Sequence, residues 1–259
     1  MTGYIKRELQ RVSGRRMTTV YLICLILICI LANLAVMAFT LIYGSERDGV
    51  LGSNVLSFAT WCFCIPYYSC IFIADLTFGK EYPNPQIKDS VTKDLKRAQL
   101  YLGKFITELI VAFVFMILAF GILLITTRIF HSDIAMDDIS LFTQNMCTAI
   151  PLWIAGVAFG NMFLFIFEDK RKAYLGFFVL TLLIPRTIML FAAKPFYIPA
   201  FIAVRRILIS QSFGHIPYAA DPERSVPFIV LQGLIYTALA CIIGICVYNR
   251  KTVRENITE

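Results

Sequence analysis

Gly79–Lys104 reads GKEYPNPQIKDSVTKDLKRAQLYLGK, the longest strongly charged interval in a chain that is otherwise mostly apolar. Lys80, Lys88, Lys93, Lys96, Arg97 and Lys104 are offset by Glu81, Asp89 and Asp94. Pro83 and Pro85 keep a regular helix from running in from the N-terminal side, because proline lacks a backbone N–H and crowds the preceding turn. Beyond them the pattern turns helical. Ile87, Val91, Leu95, Ala98 and Leu102 recur at three- and four-residue steps, giving one apolar stripe among charges. A short amphipathic helix between two membrane spans is suited to lying in the interface and being touched by a soluble partner. The plainer alternative is a solvated loop that only satisfies charge bias.

What surrounds this stretch decides the class. The chain has 259 residues, 58% apolar and 16% charged, whereas soluble domains carry about 45–50% and about 25%. Uncharged runs of roughly 20 apolar residues are long enough to cross a bilayer. They predict spans at about 18–42, 55–78, 101–129, 143–167, from 173 onward, and 226–248. The expectation is an all-α polytopic membrane protein, a single six-span domain over 1–259. The net charge of +7 invites a nucleic-acid reading, but the cations cluster beside spans, as they do on the cytoplasmic side of membrane proteins. No nucleic-acid partner is expected.

Within 1–17, Tyr4, Ile5, Leu9 and Val12 make a stripe ringed by Lys6, Arg7, Arg11, Arg15 and Arg16, predicting an interfacial helix flat on an anionic leaflet. A basic flank that merely sets orientation is the alternative. Asp75 stands near the inner end of the second span, where a pair with a loop lysine is expected. Glu108 lies two turns into the third span, four residues after Lys104, so a local pair competes with an intramembrane acid facing the bundle. Gly156 and Gly160 form a small-xxx-small face that lets another helix approach closely, and Asn161 beside them is placed to hydrogen-bond across that interface. Pro185-Arg186 interrupts the fifth span, with Arg186 either snorkelling outward or facing a cavity. In 193–225, Pro195, Pro199, Pro217 and Pro222 punctuate an apolar interval. One or two re-entrant helices dipping into the outer leaflet are expected there.

Seventeen of the twenty-four lysines and arginines fall in 1–17, 79–104, 168–172 and the tail after 248, which predicts both termini cytoplasmic. The first apolar run is too long for a cleavable signal and is expected to remain a span. The eight cysteines lie in or beside apolar runs and read as small apolar filler. Cys62-Phe63-Cys64 has no matching ligands for a zinc site, so no metal is expected. There is no phosphate-binding Gly-x-x-x-x-Gly-Lys-Ser/Thr loop, no HExxH and no Gly-x-Ser-x-Gly. An enzyme acting alone is not expected, and no cofactor is expected on this chain.

The charged stretch resembles the cytoplasmic loop after the second span in permease subunits of type 2 ABC exporters. There a Glu precedes a Gly-Thr-Ile/Leu-Lys step, a Ser-Arg pair and a Lys opening the third span. Here Glu81, Gln86-Ile87-Lys88, Lys96-Arg97 and Lys104 fall in that order without a gap. Pro85 replaces the usual Gly and Lys96 the frequent Ser. The resemblance implies a coupling helix over 79–104, anchored by Ile87 and Leu95, that meets an ABC ATPase through Glu81, Lys88 and Arg97. It implies two ATPase copies holding ATP and Mg, a second permease, identical or homologous, and surrounding membrane lipid. It also implies export of an amphipathic or hydrophobic substrate across the plasma membrane of a bacterium. Permeases of this size resemble those that expel antimicrobial peptides such as lantibiotics. A non-transporting membrane anchor or sensor, or a secondary transporter, are the alternatives from other classes.

Overall fold

The computed structural model describes residues 2–43, 51–78, 97–131, 134–167, 169–193, 198–216 and 226–258. Every regular element among these described residues is a helix. The chain opens with α1 (Thr2–Ser13), followed by the long apolar α2 (Arg16–Tyr43). Part of the apolar edge of α1 packs on the bundle. Val12 is buried with Leu76, Val111 and Phe115, and Leu9 packs beside them. The C-terminal half of the stripe, Leu9 and Val12, thus packs on protein, while Lys6 and Arg7 stay exposed.

The second span is broken. α3 (Leu51–Trp61) and α4 (Cys64–Phe78) meet at 59°, where the apolar run alone predicts one straight helix. Phe63 at the corner is buried between Phe142 and Trp153, with ring centroids 5.5 and 5.4 Å away. The Trp153 indole N–H donates to the Phe63 carbonyl at 2.9 Å. A broken backbone inside a membrane protein is tolerated where protein satisfies its polar groups, and Trp153 does that here. Pro66 sits in the first turn of α4, where a missing N–H costs nothing.

The third span is α5 (Arg97–Phe130) and the fourth α6 (Met136–Ile166). The fifth runs through α7 (Lys170–Phe178), a wide π turn at Val179–Leu183, and α8 (Ile184–Ala192). Pro185 cannot donate to the carbonyl one turn back, and the widened turn lets the helix continue past it. Asp169 starts α7 by accepting from the Arg171 N–H at 3.0 Å. Two short helices, α9 (Pro199–Arg205) and α10 (Ile209–His215), precede the last span, α11 (Val226–Thr258). Among the described residues, five helices are long and apolar enough to cross a membrane, or six with the bent α3–α4 pair as one span. The protein is a multi-pass helical membrane protein.

α6 is the axis of the bundle, with α4 on one side and α11 on another. Close approach is built from glycine. A Cβ on Gly156 would lie 2.7 Å from Tyr67, and one on Gly160 3.2 Å from both Ala74 and the Ile71 backbone. On the α11 side a Cβ on Gly233 would stand 2.5 Å from the Pro151 backbone, and one on Gly244 would overlap the Tyr101 ring. α10 joins this core through Ile209 and Phe213, which pack with Tyr67 and Phe142. Gln232 of α11 fixes it, accepting from Ser212 and donating to the Ile207 carbonyl, both at 2.6 Å. α9 buries nothing.

Candidate functional site: the gripped end of α4

The last turn of any α-helix leaves four carbonyls without intrahelical partners. On α4 these carbonyls attract cations from two other elements. Arg11 of α1 donates to the Thr77 carbonyl, and Arg15, just after α1, donates to the Leu76 carbonyl. Lys104 of α5 reaches the Thr77 carbonyl at 3.3 Å and lies 4.5 Å from the centre of the Phe78 ring. Positive charge at a helix C-terminus is favourable by about 0.3–1 kcal/mol each, more when partly buried. Glu8, almost fully buried, pairs with Arg11 and offsets the local charge. Burial first, and then the neighbouring Arg11, pull the Arg15 guanidinium below its usual pKa, while Glu8 and Asp75 oppose them.

Beneath this grip the same helix end is tied to α5. The Thr77 hydroxyl donates to Glu108 Oε1 at 2.9 Å and also lies 2.7 Å from the Ala74 carbonyl. Glu108 has no exposed surface, and its Oε2 has no hydrogen-bond partner among the described residues. Of the two sequence alternatives for Glu108, the carboxyl faces the bundle interior. Asp75, one turn before the end of α4, pairs with Lys170 of α7 at 2.5 Å. Tyr174, also on α7, meets the same carboxylate. The last turn of α4 is thus held by α1, α5 and α7 together, and the chain leaves it directly into the charged stretch at Gly79.

Compared with known proteins, the chain matches the family model described as ABC-2 family transporter protein over residues 4–185. The matched region begins in α1 and ends at Pro185, and so includes the whole grip. The chain belongs to this family. It is a permease component of an ABC transporter, a membrane-spanning subunit rather than a hydrolase, and the family works with an ABC ATPase in general. No curated protein matches the chain.

In this permease, Glu81, Ile87, Lys88 and Leu95 lie outside the described residues. Arg97 is the first residue of α5, and its side chain is also outside them. The tail of the expected stripe is corrected. α5 runs unbroken from Arg97 into the span, and its buried face there is Leu100, Tyr101, Lys104 and Phe105. Leu102 is 37% exposed, because burial follows the packing of the long helix and not the surface stripe before it. Gly156 and Gly160 meet α4. Asn161 is fully buried, and neither atom of its amide makes a well-formed hydrogen bond among the described residues. Arg186 is exposed on α8 beside an open depression of about 480 Å³ that Thr187, Met189 and Leu190 also line. Sequence reasoning missed Glu8 and Thr77 and read Arg11 and Arg15 only as charges flanking a stripe. The contacts of Arg11 and Arg15 with the α4 terminus span 66 and 61 residues and leave no local signature.

Proposed function

We propose that the permease is the membrane half of an ATP-driven exporter and that the gripped end of α4 is where nucleotide-driven force enters the spans. The supporting observation is the set of cations from α1 and α5 on the α4 terminus, at the point where the charged stretch departs. A push that reaches the end of α4 is passed on, because Arg11, Arg15, Lys104 and Lys170 tie that end to three neighbours. Coupling needs a rigid element with two arrangements, and a turn held this way moves with its neighbours.

In this reading the α1 end faces the cytoplasm of a bacterial cell, as the clustering of basic residues supports. Two ATPase copies carrying ATP and Mg dock there through Glu81, Lys88 and Arg97. A second permease, identical or homologous, completes the pore. The region 193–225 is the outer re-entrant part of one membrane domain, as the core packing of α10 supports. The substrate is amphipathic or hydrophobic, with antimicrobial peptides as the class suggested by resemblance. Co-purification with the ATPase tests the docking. Arg97→Glu and Lys88→Glu are expected to leave the permease inserted and monodisperse while reducing recovered ATPase. Equal recovery for both variants overturns the assignment of 79–97 as the docking surface.

A further inference from the structure

At the end of the bundle opposite α1, α3 and the first turns of α6 enclose a second site. The cleft between them has a volume of about 190 Å³. Pockets that hold drug-sized ligands measure about 300–1,000 Å³, so this one admits a head group and not a whole substrate. Its walls divide by chemistry. Trp61, Leu141 and Phe142 form an apolar side, while Asp138, Asn145 and Thr60 supply polar groups. Asp138 is the one charged residue among the described residues of the lining.

Two features point to a ligand. Asn145 is 8% exposed and lines the cleft. An amide both donates and accepts hydrogen bonds, so a polar group bound in the cleft would pair with it. Asp138 accepts one hydrogen bond, from Ser53 at 3.2 Å, which leaves most of the acceptor capacity of a carboxylate free. The opposite wall presents Trp61, half exposed, and an indole face attracts a cation by about 0.5–2 kcal/mol. A carboxylate, an amide oxygen and an indole together fit an organic cation. Among the described residues no group of three or more metal-ligating side chains forms, which disfavours a metal ion.

We infer that this cleft binds the ammonium head of a cationic amphiphile, with Asp138 and Asn145 as its polar contacts and Trp61 on the opposing wall. The apolar tail would run out along Leu141 into the bilayer. This deepens the exporter reading by naming the charge class of its substrate, and it rests on that reading only for the direction of travel. Binding is measured on the permease alone in neutral-lipid nanodiscs, so a failure of ATPase docking leaves it untouched.

The probes are dodecylammonium, whose primary ammonium carries three N–H donors, and, as the anionic counterpart, dodecyl sulfate. The chain has two tryptophans, so Trp153→Phe leaves Trp61 as the only indole and its fluorescence reports the cleft. Saturable binding of the ammonium probe is expected, weakened at least about tenfold by Asp138→Asn and unaffected by Asp137→Asn, whose side chain is exposed outside the cleft. Because Trp153 supports the α3–α4 corner, equilibrium dialysis of labelled probe with the Trp153-containing protein gives the same comparison independently. Equal affinity in Asp138→Asn and Asp137→Asn, or equal saturation by dodecyl sulfate, means that the probe is only partitioning into lipid and overturns the site.

Discussion

α2 and α6 are both apolar helices of about thirty residues, yet they occupy opposite situations. In its most apolar window α6 is 67% buried, whereas α2 is 11% buried. The difference does not follow hydrophobicity, since the buried helix is the less apolar of the two. It follows side-chain size. α6 offers Gly156 and Gly160 to α4, and Pro151 to Gly233 of α11. α2 offers isoleucine and leucine to its surroundings, with Ile23, Ile28 and Leu31 more than half exposed. Its fully buried polar side chain among the described residues is Asn33, whose amide donates to the Cys29 carbonyl at 2.9 Å and to Thr126 of α5 at 3.1 Å. In lipid there is no hydrophobic drive between helices, so association rests on close packing and interhelical hydrogen bonds. α6 has many such contacts and α2 few.

This contrast breaks most visibly at the glycines. Leucine at both Gly156 and Gly160 would drive α4 from α6, with each overpacked site costing about 1–3 kcal/mol or more. The double variant should lose most of its monodisperse protein on size exclusion. Gly121→Leu on α5, where nothing lies within 4 Å of an added Cβ, should purify like the wild type. Comparable recovery of the two would show that small residues on α6 do not set the packing.

A middle-sized effect is expected at the α4–α5 tie. Thr77→Val removes the donor to Glu108 and leaves a buried carboxyl with neither oxygen hydrogen-bonded within the described residues. The expected loss is about 1–3 kcal/mol, read as a lower midpoint of thermal unfolding in nanodiscs. Thr107→Val, whose hydroxyl returns only to its own helix at Gly103, serves as the control and should shift far less. The smallest effect is expected on α2. Asn33→Leu deletes one interhelical hydrogen bond, worth about 0.6 kcal/mol on average in a membrane, and should fall below half the Thr77 shift. An Asn33 effect equal to that of Thr77 would mean that α2 is part of the scaffold.

The spans were legible because uncharged runs of sufficient length have few other readings. The α6 glycine face was legible too, because its spacing repeats on one side of a helix. Gly233 and Gly244 carry no such pattern, and each matters only because Pro151 and Tyr101 stand opposite. The α3–α4 corner was invisible because no glycine or proline occupies residues 61–64. The bend depends on Phe63 and Trp153, ninety residues apart. Arg11 and Arg15 were legible as charges but not as caps. A basic run beside a span predicts contact with anionic lipid equally well, and nothing in it tells of a carbonyl on another helix.

The central claim is that the α4 terminus transmits force because α1 and α5 hold it. The direct measurement is ATP hydrolysis by the assembled complex carrying Arg11→Gln and Arg15→Gln. Each charge contributes about 0.3–1 kcal/mol at a helix terminus, so the bundle should still fold, and recovery of the ATPase should match the wild type. Permease-stimulated hydrolysis should fall about fivefold or more, the size of a coupling free energy of about 1 kcal/mol. Wild-type stimulation in a folded double variant would contradict the claim, because the grip would then hold the helix without carrying the signal.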